Sequence, residues 1–277
     1  GPDIDGETWL NPPSIGCDEL VPGSVTGALT VGAWASYTNV TVGFRVQFRA
    51  NISGRTTGST WLWGDGDFCS NRPYADHAFS STGRYPVLLK AFNESYPLGV
   101  TATVTVQVVS QTVYYVNISN TTPSAPFTSW STAATNIQHA ISAASQVGAL
   151  VLVTNGRYAT GGSVVHGAMT NRVSITNAIT VRSVNGPHVT IIAGSKDPVT
   201  TNGDAAVRCA YVGANAVLSG FTLTNGATRK SGDYDLERTG GGAWCELSGM
   251  LSNCVLTGNS AWEAGGGLYR GTLDDCT

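Results

Sequence analysis

Two internal repeats in the second half of the chain limit the folds open to it more than any other feature of the sequence. The octapeptide Leu218-Ser-Gly-Phe-Thr-Leu-Thr-Asn225 returns as Leu251-Ser-Asn-Cys-Val-Leu-Thr-Gly258, and Gly240-Gly-Gly242 returns as Gly265-Gly-Gly267. A period in the twenties, built from short apolar strands and Gly/Asn turns, is typical of a parallel β-solenoid. Residues one period apart then stack about 4.8 Å apart in neighbouring coils.

A helix is predicted before the first solenoid strand. Ser131 is its expected N-cap, and the helix should run over residues 131–146 until Gly148 ends it. Its apolar stripe has helical spacing and consists of Ala134, Ile137, Ile141 and Ala144. We expect this helix to cover the exposed strand edges and apolar end of the first coil.

The first half of the chain has a different period. From residue 39 to residue 50, apolar and polar residues alternate strictly, and the same alternation returns at residues 85–89 and 100–108. Half-buried strands with this period, separated by turns rich in Gly, Asn and Pro, predict an antiparallel β-sandwich.

Three motifs between these strands carry a family resemblance. They are Trp61-Leu-Trp-Gly-Asp-Gly-Asp67, Tyr74-Ala-Asp-His-Ala-Phe79 and Gly83-Arg-Tyr-Pro-Val87. In this order they resemble the PKD domain, which implies an Ig-like sandwich over residues 25–110. The solenoid half resembles the pectin-lyase-like right-handed parallel β-helix, as found in large secreted bacterial modular proteins.

Together these observations predict an all-β chain in four parts. Residues 1–24 resemble the closing segment of a preceding β-helix module, and residues 25–110 form the PKD-like sandwich. Residues 111–130 are a linker rich in Pro, Ser and Thr, and residues 131–277 form the parallel β-helix with its N-terminal capping helix, incomplete at the C-terminus. We therefore expect either a section of a longer array or a subunit whose open end is covered by a neighbour.

Composition indicates the compartment. Only 12% of residues are charged, about half the usual share, and the formal net charge is −3 with 15 basic residues and no basic run, which argues against nucleic-acid binding. No apolar stretch approaches the 18 residues of a transmembrane helix. Five Asn-x-Ser/Thr sequons and six cysteines favour a secreted or cell-surface protein. The candidate glycosylation sites are Asn39, Asn51, Asn93, Asn117 and Asn120, and the candidate disulfide residues are Cys17, Cys69, Cys209, Cys245, Cys254 and Cys276.

Two local features leave alternatives open. Cys254 and Cys276 are spaced to lie in neighbouring coils, so they could form either an internal thiol stack or a disulfide between coils. Asp65 and Asp67, on a glycine turn, could bind a structural calcium ion, or they could cap the backbone amides of their own turn. The EF-hand ligand spacing is absent, so the second interpretation is favoured and no cofactor is predicted.

One charged loop interrupts the repeat, Arg229-Lys-Ser-Gly-Asp-Tyr-Asp-Leu-Glu-Arg238. Together with two residues that follow it in the sequence it gives the candidate residues for contact with a glycan or a partner: Asp233, Tyr234, Asp235, Arg238, Trp244 and Glu246. The favoured interpretation is a solvated, salt-bridged loop, and the alternatives are contact with a glycan or a partner and a catalytic site. No carboxylate pair with a basic partner is evident, and no Gly-x-Ser-x-Gly elbow occurs, so no catalytic residue is predicted.

These observations predict a non-enzymatic extracellular structural or adhesive glycoprotein. Its expected partners are copies of itself or neighbouring modules, and glycans. The alternatives are a polysaccharide lyase or hydrolase, which the β-helix resemblance implies, and a carbohydrate-binding module.

Overall fold

A computed structural model describes residues 25–277, so the predicted closing segment at residues 1–24 and Cys17 lie outside the described residues. The chain divides into two compact units at Ser110 and Gln111. Both consist mainly of β-strands.

The first unit contains two β-sheets. Its strands are β1 (Thr30–Ala35), β2 (Asn39–Thr41), β3 (Arg45–Ser53), β4 (Gly58–Leu62), β5 (Phe68–Ser70), β6 (Tyr74–Ala78), β7 (Gly83–Asn93) and β8 (Tyr96–Val109). One sheet has the order β1-β3-β6 and is antiparallel throughout. The other has the order β2-β8-β7-β4-β5, and its pairs are antiparallel except β2 with β8, which is parallel.

The alternation in the sequence decides which side chains the first unit buries. Val46 and Phe48 on β3 are buried, whereas Arg45, Gln47 and Arg49 between them are exposed. Phe48 contacts Trp61 on β4 of the second sheet and Trp63 just after β4, with ring centroids 5.7 Å and 5.0 Å away. The aromatic residues of the motifs around residues 61–79 therefore form the contact between the two sheets.

The second unit is a solenoid-like stack of parallel strands with about four turns. Its strands are β9 (Val113–Val116), β10 (Leu150–Val153), β11 (Gly156–Tyr158), β12 (Ser163–Val164), β13 (Thr170–Ile175), β14 (Thr180–Ser183), β15 (Thr190–Ala193), β16 (Val207–Val212), β17 (Val217–Ser219), β18 (Thr222–Thr224), β19 (Ala243–Cys245), β20 (Met250–Ser252), β21 (Val255–Thr257), β22 (Leu268–Tyr269) and β23 (Thr272–Asp274). They form three sheets, ordered β9-β10-β14-β17-β20-β23, β11-β15-β18-β21 and β12-β13-β16-β19-β22. Each pair is parallel except β12 with β13.

The repeats seen in the sequence are stacked as predicted. Leu218 pairs with Leu251 and Leu223 pairs with Leu256, so the two octapeptides lie in neighbouring coils. The N–H groups of Gly240, Gly241 and Gly242 donate to the carbonyl oxygens of residues 264–266. A Cβ on Gly241 would lie 2.0 Å from the Ser260 carbonyl oxygen, so the close approach of the chain there requires glycine.

Most coils are longer than the predicted period in the twenties. Leu150 pairs with Thr180 and Val217 pairs with Met250, and both spacings exceed the predicted period. Within residues 25–277, parallel pairs with a spacing in the twenties occur only in the last coil, where Met250 pairs with Thr272. The difference arises because extended connections, such as residues 225–242 between β18 and β19, belong to the coil that they interrupt.

The structure also differs from two expectations for the start of the solenoid. Residues 113–116, placed in the linker, form β9 and pair with β10. The predicted helix over residues 131–146 is shorter: a 3-10 turn covers Trp130–Thr132, and α1 covers Ile137–Ala143. Asn136, not Ser131, is the N-cap, since its side chain accepts a hydrogen bond from the Gln138 N–H. Ile137, Ala140 and Ile141 of α1 are buried in the solenoid core, next to β9, β10 and β13.

A second short helix, α2 (Tyr234–Glu237), lies in the charged loop. None of the helices in residues 25–277 has the length and apolar character that a membrane span requires.

Candidate functional site

An aromatic ladder lies on one face of the solenoid. Tyr211 on β16, Trp244 on β19 and Tyr269 on β22 occupy paired positions on adjacent strands. The rings of Tyr211 and Trp244 stack, with centroids 5.3 Å apart and planes 6° apart. Their neighbours in sequence, among them Ala210, Val212 and Cys245, belong to the solenoid core, so the aromatic rings project from the opposite face of the sheet.

The charged loop closes over this ladder. Trp244 is only 2% exposed, and its indole N–H donates to the Asp235 carbonyl oxygen at 2.8 Å. The Asp235 carboxylate accepts hydrogen bonds from the Tyr269 hydroxyl (3.0 Å) and the Arg270 guanidinium (2.9 Å). The Arg270 guanidinium also lies 5.9 Å from the centroid of the Trp244 ring. Asp235 therefore fastens the loop to the ladder through both its backbone and its side chain.

Glu237 anchors the loop at a second point. Its buried carboxylate accepts hydrogen bonds from the backbone N–H groups of Ala168 (2.7 Å) and Asp233 (2.9 Å). A Cβ on Gly167 or Gly232 would lie within 2.3 Å of carboxylate atoms of Glu237, and both glycines have positive φ, 56° and 95°. The carboxylate is thus enclosed by backbone that only glycine allows.

Arg208 forms hydrogen bonds with the backbone at the end of the charged loop. Only 1% of this residue is exposed, and its guanidinium donates to the carbonyl oxygens of Leu236, Thr239 and Gly240, each at 2.8 Å, and to Asn171 Oδ1 at 2.9 Å. Burial lowers the pKa of Arg208 to about 10, so the side chain stays charged at neutral pH. A buried charge with this many acceptors holds a backbone turn in one conformation.

Glu246 and His166 also contact the aromatic ladder. The Tyr211 hydroxyl donates to the Glu246 carboxylate at 2.9 Å, and burial, followed by this hydrogen bond, raises the pKa of Tyr211. His166 packs against Tyr211 and Trp244, with ring centroids 5.5 Å and 6.2 Å away. These contacts make Glu246 a partner of the ladder rather than a free surface carboxylate.

The six residues predicted to contact a glycan or partner therefore have different surroundings. The structure brings Asp235, Trp244 and Glu246 together at the ladder, where each is hydrogen-bonded. Asp233 caps α2 by accepting from the Leu236 N–H at 2.8 Å. Tyr234 is 55% exposed, and Arg238 lies 5.4 Å from its ring centroid while forming an ion pair with Glu263.

Sequence reasoning missed Tyr211, Tyr269, His166 and Arg208. Tyr211 and Trp244 are separated by the same number of positions as the repeat partners Leu218 and Leu251. Extending the repeat by this spacing would have found Tyr211. Arg208 lies on β16 and joins the cluster by donating to carbonyl oxygens of the charged loop and its end, and His166 lies in the connection between β12 and β13. The repeat predicts neither contact.

Asp65, Asp67 and His77 form the one group of three possible metal ligands found in residues 25–277. Asp65 Oδ1 accepts from the Asp67 N–H at 3.2 Å, which is the Asx-type bond expected for a turn cap. The other oxygen of Asp65 lies 2.7 Å from His77 Nε2, and the His77 ring stacks on Trp63 at 4.8 Å. Burial opposes ionisation of Asp65, but the bonds to His77 and Asp67 lower its pKa overall. Calcium prefers oxygen ligands, so His77 does not suit a calcium site.

The sequons differ in accessibility. Asn39 and Asn51 are exposed, and Asn117 is half-buried. Asn93 is 2% exposed, and its amide nitrogen donates to the carbonyl oxygens of Gly27 (3.1 Å) and Arg55 (3.0 Å). Asn120 likewise donates to two carbonyl oxygens, those of Ala133 and Ser131. A sugar on Nδ2 would replace one of these hydrogens, so the folded structure argues against Asn93 and Asn120 as glycosylation sites.

The five cysteines in residues 25–277 are free thiols in the structure. Cys209, Cys245 and Cys254 are buried, and Cys254 and Cys276 lie in neighbouring coils, where the Cys276 sulfur is 3.4 Å from the Cys254 nitrogen. Burial raises the pKa of Cys209 and Cys245 to about 12 and that of Cys254 to about 11.

No protein-family model matches the chain, and no curated protein is significantly similar to it.

Proposed function

We propose that this chain is a structural module of an extracellular assembly. The observation that carries the proposal is the closed state of the charged and aromatic cluster around Trp244. Asp235, Glu237 and Glu246, the carboxylates nearest the ladder, are each bonded to other groups of the protein. Their contacts fasten a loop to a rigid sheet, which is a structural role.

A catalytic role would require a different arrangement. A general acid or base needs an accessible position within hydrogen-bond reach of a bound substrate. Here the Asp235 carboxylate is occupied by Tyr269 and Arg270, and the ring of Trp244 is covered by the loop. The cluster therefore supports stability better than polysaccharide cleavage.

The proposal also includes the fold family of each unit. We infer a PKD-type sandwich for the first unit and a right-handed, pectin-lyase-like helix for the second, with α1 as the cap of its first coil. The motifs at residues 61–87 and the contacts of α1 with the first strands support these assignments. An extracellular location agrees with the exposed sequons at Asn39 and Asn51, because attached sugars would add the polar surface that a chain with 12% charged residues lacks.

The test is an activity assay on the whole chain. We expect no unsaturated or reducing sugar ends above a heat-denatured control when the chain is incubated with polygalacturonate, alginate or neutral glucans. Product formation that disappears in Asp235→Asn or Glu246→Gln, with the folded state retained, would overturn the proposal. Electron microscopy of the native material should show rods or filaments; dispersed globular particles would contradict the structural role.

A further inference from the structure

The outer face of the β1-β3-β6 sheet carries an exposed row of two aromatic residues and an arginine. Trp34 on β1 pairs with Arg49 on β3, and Arg49 pairs with Tyr74 on β6. Trp34 is 56% exposed and Tyr74 is 70% exposed. Side chains directly opposite one another in an antiparallel sheet lie about 5 Å apart, so the three form a continuous strip across the sheet.

Arg49 supplies a positive charge to this strip. Its guanidinium lies 5.9 Å from the centroid of the Tyr74 ring, and no carboxylate in residues 25–277 forms an ion pair with it. Arg45 on the same face, by contrast, is paired with Asp76. Among the described residues, Arg49 is thus an arginine of this face that has no carboxylate partner and can pair with an anionic ligand.

Two hollows adjoin the strip. One has a volume of about 430 Å³ and includes Gly32 and Asn51, and the other has a volume of about 610 Å³ and includes Gln47 and Tyr74. Trp34 and Arg49 line both hollows. Their volumes are those of small-ligand sites, and their common wall suits a ligand made of successive similar units.

We propose that this face binds an acidic polysaccharide. The C–H faces of pyranose rings pack against flat aromatic rings, which Trp34 and Tyr74 present, while Arg49 pairs with a uronate carboxylate through its planar guanidinium. The amides of Gln47 and Asn51 are placed to bond to sugar hydroxyls in the adjoining hollows. This binding site does not depend on the role of the solenoid, since it lies wholly in the first unit.

A sugar polymer suits this face better than a second protein chain. Specific protein interfaces surround their aromatic and arginine residues with further apolar side chains, whereas this strip is flanked by the polar side chains of Asn51 in one hollow and Gln47 in the other. An exposed aromatic ring beside a guanidinium and an amide instead offers stacking and hydrogen bonds within a single sugar unit.

Binding of polygalacturonate to the full chain, produced without N-linked sugar, tests the proposal by calorimetry. We expect Trp34→Ala and Tyr74→Ala each to weaken binding about tenfold. Arg49→Gln should weaken it by a similar factor, and Arg49→Lys should restore only part of the loss, because lysine cannot pair in a bidentate manner. Phe68→Ala is the matched control: Phe68 is 67% exposed but belongs to β5 in the other sheet, so binding should be unchanged.

Methyl-esterified polygalacturonate separates charge from stacking, because it is neutral. It should bind at least about tenfold more weakly than the acid form, and added salt should reduce the difference. The proposal is overturned if the Trp34 and Tyr74 variants bind as tightly as the unaltered chain, or if the neutral polymer binds equally well. Concentration-dependent dimerisation that Trp34→Ala abolishes would also overturn it, since the face would then be an interface between two copies.

Discussion

Each of the two units has a row of tryptophan, tyrosine and arginine on one sheet, but the tryptophan is buried in one row and exposed in the other. On the β13-β16-β19-β22 side of the solenoid, Trp244 stacks with Tyr211 and lies beside Arg270, yet it is 2% exposed. On the β1-β3-β6 sheet, Trp34 lies beside Arg49 and Tyr74 and is 56% exposed. The comparison shows that residue type and cross-strand position do not decide whether an aromatic row is available to a ligand.

The connections between strands make the difference. Residues 225–242 separate β18 from β19, long enough for the chain to fold back as α2 and bond to the ladder through Asp235. On the β1-β3-β6 face, the row of Trp34, Arg49 and Tyr74 stays exposed, with hollows on both sides. A connection that folds back over the strand that follows it thus buries a face that would otherwise be exposed to a ligand.

The largest expected contrast comes from the two tryptophans. Trp244→Ala removes a fully packed ring and its hydrogen bond, and should lower the free energy of unfolding by about 3–5 kcal/mol. Trp34→Ala should change it by less than about 0.5 kcal/mol, because exposed side chains contribute little to stability. Urea unfolding followed by far-ultraviolet circular dichroism measures both. Equal losses in the two variants would show that the rows do not differ in burial.

The two arginines should give the next largest contrast. Arg208→Met leaves several buried acceptors without a donor, among them the carbonyl oxygens of Leu236 and Gly240, and should cost about 3 kcal/mol. Arg49→Met should be close to neutral for stability while reducing polygalacturonate binding. The same urea experiment checks the first effect, and a stable Arg208→Met variant would contradict the anchoring role of Arg208.

The fold was largely predictable because its signals are local. Alternation predicts one strand over residues 39–50, but the chain turns at Gly43, and β2 and β3 belong to different sheets. The stacking of Leu218 on Leu251 follows from the repeat. The strand at Val113–Val116 was missed because a short strand beside a Pro/Ser/Thr-rich region carries too little periodicity. Helix α1 was placed too early because Ser131 and Asn136 are both acceptable N-caps, and packing of Ile137 and Ile141 decides between them.

The binding faces were less predictable because they depend on distant residues. Charge and aromatic content identify the loop around Tyr234 as a candidate site. Whether the loop closes over Trp244 depends on Arg208, which contacts residues from distant parts of the chain. The sequence does not predict the exposed row of Trp34, Arg49 and Tyr74, because these residues come from three strands and only the register of the sheet brings them together.

A smaller contrast is expected between two sequon asparagines. Asn93→Ala removes two donated hydrogen bonds and one accepted from the Tyr96 N–H, and should cost about 2 kcal/mol. Asn51→Ala, on the exposed face, should cost less than about 0.5 kcal/mol. Thermal unfolding compares them. If Asn93→Ala is neutral, the amide does not hold the turn, and glycosylation at that position becomes compatible with the fold.

The smallest effect concerns the thiols behind the ladder. Because burial raises the pKa of Cys245 to about 12, almost none of it is thiolate at pH 8, and it should react with a maleimide far more slowly than half-buried Cys276. Asp235→Ala should leave the labelling of Cys245 slow, because Cys245 belongs to the solenoid core and the loop covers the opposite face of the sheet. Peptide mass spectrometry follows each site. Unlabelled Cys276 that becomes reactive only after reduction would indicate the alternative disulfide with Cys254.

Hydroxyl-radical footprinting of the native chain compares the two aromatic rows most directly, with peptide mass spectrometry to resolve each tryptophan. Trp34 should be oxidised rapidly and Trp244 should be protected, and adding polygalacturonate should protect Trp34 without changing Trp244. Oxidation of Trp244 as fast as that of Trp34 would contradict the closed loop, and Trp34 protection that is independent of the polysaccharide would contradict the open face.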